Sequence, residues 1–308
     1  MLNFSEIQVF AVAAETENFS AAARRLHLSQ PAVSQQITRL EQDYGTKLLH
    51  REGTKVVPTE EGKILYEFAT QIIKLYERSK QAVREVNEKE LSGSLVIGAS
   101  TGLGEYLLPI VLARFKTEHA NVHLSMDVGD SGEILERILQ HRIDLGFVGV
   151  TRQDRHLRFT PFIRDRLVLV VSPEHELAHR RTITLKQFLK VPLVLQQPGS
   201  GATSALRTAL KAHGLRLEDL NIVVEAGLQE STKTAVRFGL GATVISRLGV
   251  LDELHNQSLV AIEIRDLELE HDFYIACHRD WPLSRLAQSF IETARTIAKA
   301  AVKDVFLL

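Results

Sequence analysis

Cysteine is almost missing from this chain of 308 residues: Cys277 stands alone. One thiol can form no intramolecular disulfide and no cysteine-rich metal site. It closes the apolar run "HDFYIAC", where a small core residue is a simpler reading than a nucleophile. No sign of charge prevails: 37 Lys and Arg against 38 Asp and Glu give a formal net charge of -1. The molecule as a whole therefore carries no polyanion-binding signature. No stretch stays apolar for the roughly 20 residues of a membrane span. The start, "MLNFSEIQVFAVAAETENF", has no basic leader and is broken by Glu6, Glu15 and Glu17. No signal peptide is expected, and the cytoplasm is the expected compartment. Catalytic signatures are missing as well. There is no Gly-x-Ser-x-Gly, no phosphate loop ending in Gly-Lys-Ser/Thr and no His-Glu-x-x-His. The 12 histidines are scattered, and His119 and His123 straddle a change from helical to strand pattern. The expectation is no enzyme, no cofactor, no metal and no membrane partner.

What is there divides into three regimes. Residues 1–58 are short helical patterns with tight turns. Residues 59–91 begin "TEEGKILYEFATQIIKLYERSKQAVREVNEKE", a Pro-free helical pattern whose apolar residues Ile64, Leu65, Phe68, Ile72, Leu75, Val83 and Val86 fall mostly three or four apart. About 30 residues of helix would reach roughly 45 Å. A single apolar stripe of that length needs a partner, most simply the same helix of a second subunit, with packing on its own domain as the alternative. From "LSGS" onward, residues 92–308 alternate strand and helix. Strand-like runs stand at 94–100, 122–128, 143–149, 166–172, 192–197, 221–225, 242–246 and 271–277. Helical patterns at 105–118, 131–141, 203–213 and 229–238 separate several of them, as in parallel α/β units. "RFTPFIRDRLVLVV" has strand character on both sides of Pro161, as expected where a chain crosses between two lobes.

The first regime carries the sharpest chemistry. From Asn18 to Val57, six cations (Arg24, Arg25, Arg39, Lys47, Arg51, Lys55) face three carboxylates (Glu41, Asp43, Glu52), a local excess of +3 in a balanced protein. Ser20 can cap the helix "AAARRLH"; Ser29 can cap the next, with Pro31 in its first turn. Val33, Ile37, Leu40 and Tyr44 then make one buried stripe, leaving Pro31, Gln35, Thr38 and Arg39 opposite, with Ser34 on the flank. Helix, tight turn and helix with amides and hydroxyls outward suit a DNA major groove. There Gln pairs bidentately with adenine, and Ser, Thr and backbone amides hold phosphates. The candidate readers are Ser29, Gln30, Pro31, Ser34, Gln35 and Thr38. "KLLHREGTKVVPT" reads as a hairpin with Glu52-Gly53 at its tip, which aims Arg51 and Lys55 at the backbone or minor groove. An ordinary helical hairpin is the competing reading of the pattern.

At fixed spacing, "FAVAAETENFSAAARRLHLSQPAVSQQITRLEQDYGTKLLHR" followed by "PTEEG" closely resembles the winged helix-turn-helix of LysR-type bacterial transcriptional regulators. The resemblance covers nearly the whole chain. "LSGSLVIGASTGLGEYLLPIVLARF" and "GLQESTKTAVRFGLGATVIS" look like that family's effector-domain segments, and "GASTGLGEYLLP" is most similar to the branch regulating carbon fixation and sulfur assimilation. It implies an α/β chain with an all-α winged helix-turn-helix domain, a long linker helix and a two-lobed Rossmann-like effector domain. It also implies double-stranded operator DNA and a small-molecule effector as partners, with self-association as a dimer or as a tetramer of two dimers. RNA polymerase is a further candidate partner. Two positions depart from the pattern. Leu49 replaces the usual Phe before the wing. In "PGSGATSAL", Ala202 and Thr203 stand where relatives of that branch often have Thr-Arg, so the arginine that would clamp an anion is absent.

Two stretches of the third regime put hydroxyls and free N–H groups at helix starts, where the helix dipole favours a negative group: Ser100-Thr101 and Ser200-Gly201-Ala202-Thr203. Plain helix caps are the alternative. With the resemblance, both become candidate walls of an effector cleft, joined on the same basis by Ser131, Gly149 and Ser246. Glu230 and Lys233 match family positions and are equally readable as surface or interlobe residues. "GSGAT" alone could suggest a phosphate-binding transferase, and two α/β lobes a solute-binding protein, but neither accounts for residues 1–58.

Overall fold

The computed structural model describes residues 3–52, 55–87, 90–196 and 200–307. The chain forms two compact units that divide near residue 89.

In the first unit, Asn3 caps α1 (Phe4–Thr16), its side chain accepting from the Ser5 N–H at 3.1 Å. α2 (Phe19–Leu26) is capped by Asn18, two residues ahead of the Ser20 expected, because the Asn18 carboxamide reaches both the Ser20 and Ala21 amides. Ser29 caps α3 (Gln30–Tyr44) as its sequence position suggests, accepting from Ala32 N–H. Ile7, Phe10, Ala13, Val33, Ile37 and Leu40 close the core between these helices. Burying each large side chain stabilises by about 1.5–3 kcal/mol. Tyr44 does not join the stripe; it is 46% exposed, and Glu41 takes the inward position instead. The Glu41 carboxylate is 7% exposed and accepts from the amides of Leu48 and Leu49 and from Lys47 Nζ at 2.6 Å. A charge is thus placed where the chain turns into the antiparallel hairpin β1 (Leu49–Glu52) and β2 (Lys55–Pro58).

α4 (Glu60–Asn87) follows at once. Thr59 caps it, its hydroxyl accepting from Gly62 N–H at 3.0 Å and donating to the Lys47 carbonyl at 2.8 Å. Gly62 fits this start closely: a Cβ there would overlap the Leu48 carbonyl oxygen. Leu65 and Ala69 pack inward, whereas Ile64, Phe68, Leu75 and Val83 are 57–67% exposed. No helix among the described residues is long and apolar enough to cross a membrane.

The second unit has two lobes. The first holds β3 (Gly93–Ser100), α5 (Thr101–Tyr106), α6 (Leu108–Glu118), β4 (Val122–Gly129), α7 (Ser131–Leu139) and β5 (Leu145–Val148), with β4, β3 and β5 parallel. β6 (Leu157–Val171) leads out of it. The second lobe holds β7 (Thr182–Ile183), α8 (Leu185–Phe188), β8 (Leu193–Gln196), α9 (Gly201–Ala212), β9 (Ile222–Ala226), α10 (Gln229–Arg237), β10 (Thr243–Ser246), α11 (Leu251–His255) and β11 (Val260–Ile264). β12 (Glu270–His278) returns the chain to the first lobe, where α12 (Arg285–Leu307) packs Leu286, Phe290 and Ala294 into its core.

β6 pairs antiparallel with β12 through its first half and with β10 and β11 through its second, so one strand belongs to both lobes. The strand character on both sides of Pro161 is one unbroken strand. Pro161 sits beside a register shift, facing Tyr274 while Ile163 faces Phe273, which is where a residue without an N–H is tolerated. The parallel-unit reading of the sequence misses this antiparallel crossing, the short β7 and β11, and the whole of α12.

Candidate functional site

Two faces can meet a partner, one in each unit. On α3, Gln30, Pro31, Gln35, Thr38 and Arg39 are exposed and Ser34 is half-buried. The helix dictates this: Val33, Ile37 and Leu40 point the opposite way and are at most 4% exposed. The Thr38 hydroxyl donates to the Ser34 carbonyl at 2.9 Å and Ser29 is occupied as a cap, while the carboxamides of Gln30 and Gln35 stand exposed on the face beside Arg39. The hairpin is tied back by the Val56 N–H, which donates to the Glu17 carbonyl at 2.8 Å. Lys55 is at the expected place but is paired: its Nζ lies 2.7 Å from Glu17, and that hydrogen bond raises the ammonium pKa. Gly53 and the Arg51 side chain lie outside the described residues.

In the second unit, strand ends from both lobes converge on the crossing strands. The Ser131 hydroxyl, at the start of α7, accepts from the buried N–H of Gly149 at 3.1 Å. Ser200 caps α9 through the Thr203 N–H, and the Thr203 hydroxyl donates to the Gln196 carbonyl at 2.9 Å. Ser246 accepts from Gly249 N–H at 3.2 Å. Four of the expected hydroxyls are thus engaged in holding the strand ends. Ser100 is different: its Oγ is buried and has no hydrogen-bond partner among the described residues. Thr101 is half-buried beside it. Gly149 and Gly201 meet at His271, a residue the sequence reading passed over. Burial lowers the His271 pKa to about 4, and its ring stands edge-on to Phe273 with centroids 4.4 Å apart.

Across the strand pair from His271 lies Asp165, 2% exposed, whose carboxyl is pushed up to about 7 by burial. The Ser246 hydroxyl and the N–H groups of Arg166 and Leu248 offset that only partly. Glu230 and Lys233 prove to be interlobe residues. The Tyr106 hydroxyl, from the first lobe, donates to Glu230 at 2.6 Å. Lys233 Nζ sits 4.6 Å over the Tyr106 ring and reaches Glu230 at 2.7 Å and Glu253 at 2.6 Å. Burial and the bond to Glu230 drive the Tyr106 phenol far up; burial also raises Glu105. A separate cavity of about 790 Å³ lies along β6, β11 and α12 and includes none of the expected effector residues. Topology also joins His156, His278 and Asp280 at the surface. There His156 Nδ1 is 3.0 Å from Asp280 and its Nε2 already accepts from Arg155, so the group reads as a hydrogen-bonded cluster rather than an open metal site.

The chain matches two family profiles, described as "Bacterial regulatory helix-turn-helix protein, lysR family" over residues 4–63 and "LysR substrate binding domain" over residues 88–299. It is 32% identical over 275 residues to an HTH-type transcriptional regulator of Methanocaldococcus jannaschii, covering 89% of this chain and 92% of the relative. It is 29% identical over 297 residues to the RuBisCO operon transcriptional regulator of Allochromatium vinosum, covering 94% and 95%. In fold it resembles full-length CbnR complexed with its target DNA, with TM-score 0.71, 21% identity and coverage of 96% of this chain and 100% of that one.

Proposed function

The chain belongs to the LysR family of helix-turn-helix transcriptional regulators, and from that premise we propose how each unit contributes. α3 lies in the major groove of operator DNA with Gln30, Pro31, Ser34, Gln35 and Thr38 toward the bases and Ser29 at the phosphates. The hairpin places Arg51 and Lys55 on the backbone. The observation that carries this is the exposed, uncommitted Gln35 carboxamide opposite the buried Val33–Ile37–Leu40 stripe. Gln35→Ala is the test, read as binding to a panel of single-base operator variants. The expected result is a loss of about 1–3 kcal/mol at one position of each half-site. An unchanged base preference removes Gln35 from the readout.

Dimerisation through α4 is supported by Ile64, Phe68 and Leu75, which lie within about 40° of one another around the helix and are exposed in the single chain. The exposed apolar residues of the second unit, among them Val128 on β4 and Val223 and Phe238 in the other lobe, are surfaces on which two dimers could join as a tetramer. The effector is a small anionic or polar metabolite held between the lobes by Ser100, Thr101, Ser131, Gly149, Ser200, Thr203 and Ser246. The buried, unpartnered Ser100 hydroxyl supports this assignment. A thermal-shift panel of organic and inorganic anions tests it. One selective shift abolished by Ser100→Ala is expected, and a shift indifferent to Ser100→Ala places the ligand elsewhere.

A further inference from the structure

His271 opens the strand-like run "HDFYIAC" without a role assigned to it there, and its ring sits where the two lobes meet. Gly149 approaches from one side and Gly201 from the other; a Cβ on either glycine would overlap the imidazole Nε2. The residue is 7% exposed, and Nε2 is buried with no hydrogen-bond partner among the described residues. A buried polar atom left bare is destabilising, and a ligand hydrogen placed there would satisfy it.

The surroundings define that partner. Donors are plentiful: the Gly201 and Ala202 amides open the 12-residue α9 and have no intrahelical acceptor, and the Ser100 hydroxyl and Gln196 Nε2 are buried and unpartnered. The first turn of α9, Gly201 to Ser204, adds no cation to these donors. Of the carboxylates nearby, Asp165 faces His271 across the strand pair, and Asp272 points away to Arg164 at 2.8 Å. Burial keeps the imidazole neutral near pH 7, so one ring nitrogen accepts.

Resting on the cleft reading above, we infer that His271 accepts a hydrogen bond from the effector. The cleft thereby selects a singly charged head group with its own hydrogen, as in the carboxylate and hydroxyl of an α-hydroxy acid, over a fully ionised dianion. The carboxylate meets the α9 amides and the hydroxyl meets Nε2.

The full chain titrated near neutral pH with glycolate, acetate and oxalate, followed by calorimetry, tests this. Glycolate should bind at least about 10-fold more tightly than acetate or oxalate, the worth of one hydrogen bond. His271→Leu should bind glycolate and acetate alike. His271→Gln, whose amide oxygen can accept, should regain part of the preference, and it alone decides the matter if the leucine variant does not fold. Equal affinities, a preference for oxalate, a glycolate preference that survives His271→Leu, or silence toward all three acids overturns the inference. The cleft reading fails differently: in that case Ser100→Ala leaves unchanged whatever ligand the wider anion panel reveals.

Discussion

The face of α3 and the floor of the interlobe cleft are both polar, yet they are built in opposite ways. α3 gathers Gln30, Ser34, Gln35 and Thr38 within nine residues of one helix, all but Ser34 exposed. The cleft gathers Ser100, Gly149, Gly201 and His271 from strand and helix ends spread over about 170 residues, and buries all of them but Gly201. A surface reader is local and costs the fold little. A buried reader is assembled by topology and holds unmet hydrogen bonds and displaced pKa values in the native state. The two regions should therefore respond to different perturbations, the cleft to pH and the α3 face to base sequence.

The largest effect is expected at Asp165. Its folded pKa of about 7 stands above its unfolded value, so the native state holds the proton more tightly. Stability from this group is present at low pH and is lost as pH rises from about 4 to about 7, by about 4 kcal/mol in all. Asp165→Asn never ionises. Its midpoint in urea should exceed that of the wild type above pH 7, and the gap should close near pH 4. A gap that does not change with pH would mean the carboxyl is ionised throughout.

His271 slopes the other way. With a folded pKa of about 4, it resists a proton that the unfolded chain accepts, so stability is full above about 6.5 and falls by about 3 kcal/mol as pH drops toward 4. The two neighbours nearly cancel between pH 4 and 7, and the wild type should look flat there. His271→Gln should expose the Asp165 slope and Asp165→Asn the His271 slope. If both single variants stay flat, the two groups do not titrate as their burial dictates. Operator base preference should not move in either.

Gly62→Ala would carry the comparison into the first unit. Its Cβ meets the Leu48 carbonyl, a backbone atom held by the wing, so overpacking should lower stability by about 1–3 kcal/mol without any pH slope. Calorimetric transitions of the full chain between pH 4 and 8 distinguish this from the cleft variants.

How much was legible follows from the same contrast. Ser29 as cap, the Val33–Ile37–Leu40 stripe and the long helix depend on near neighbours, and the sequence displays near neighbours. Tyr44 was misplaced because helical spacing cannot see the hairpin amides of Leu48 and Leu49, which draw Glu41 inward. β7 and β11 went unread because a two-residue strand and the short run "VAIEI" acquire their meaning only from partners far along the chain. In the cleft, the helix-start hydroxyls were visible as caps, but only Ser200 makes the cap bond: Ser100 makes none, and Thr203 donates back to the Gln196 carbonyl. His271 gave no local signal at all: one histidine in "LEHDFY" becomes a floor residue only because β12 returns to β6 between Gly149 and Gly201.

The smallest effect tests whether the first unit is as free of internal commitments as the comparison supposes. Lys55 is an exposed cation whose partner, Glu17, sits in the turn between α1 and α2. Solvent screens an exposed pair of this kind, so it adds little to the fold. A phosphate approaching Lys55 must compete with that carboxylate, so Glu17→Gln should tighten binding to all duplexes slightly and equally. Lys55→Ala should weaken all of them and reduce the salt slope by about one counterion. The two variants act on one ammonium group, so their effects should not add: with Lys55 replaced, Glu17→Gln should retain only the general gain of one less negative charge. Additive effects would mean that Lys55 meets DNA without leaving Glu17, making the pair a fixed strut of the hairpin rather than a releasable one.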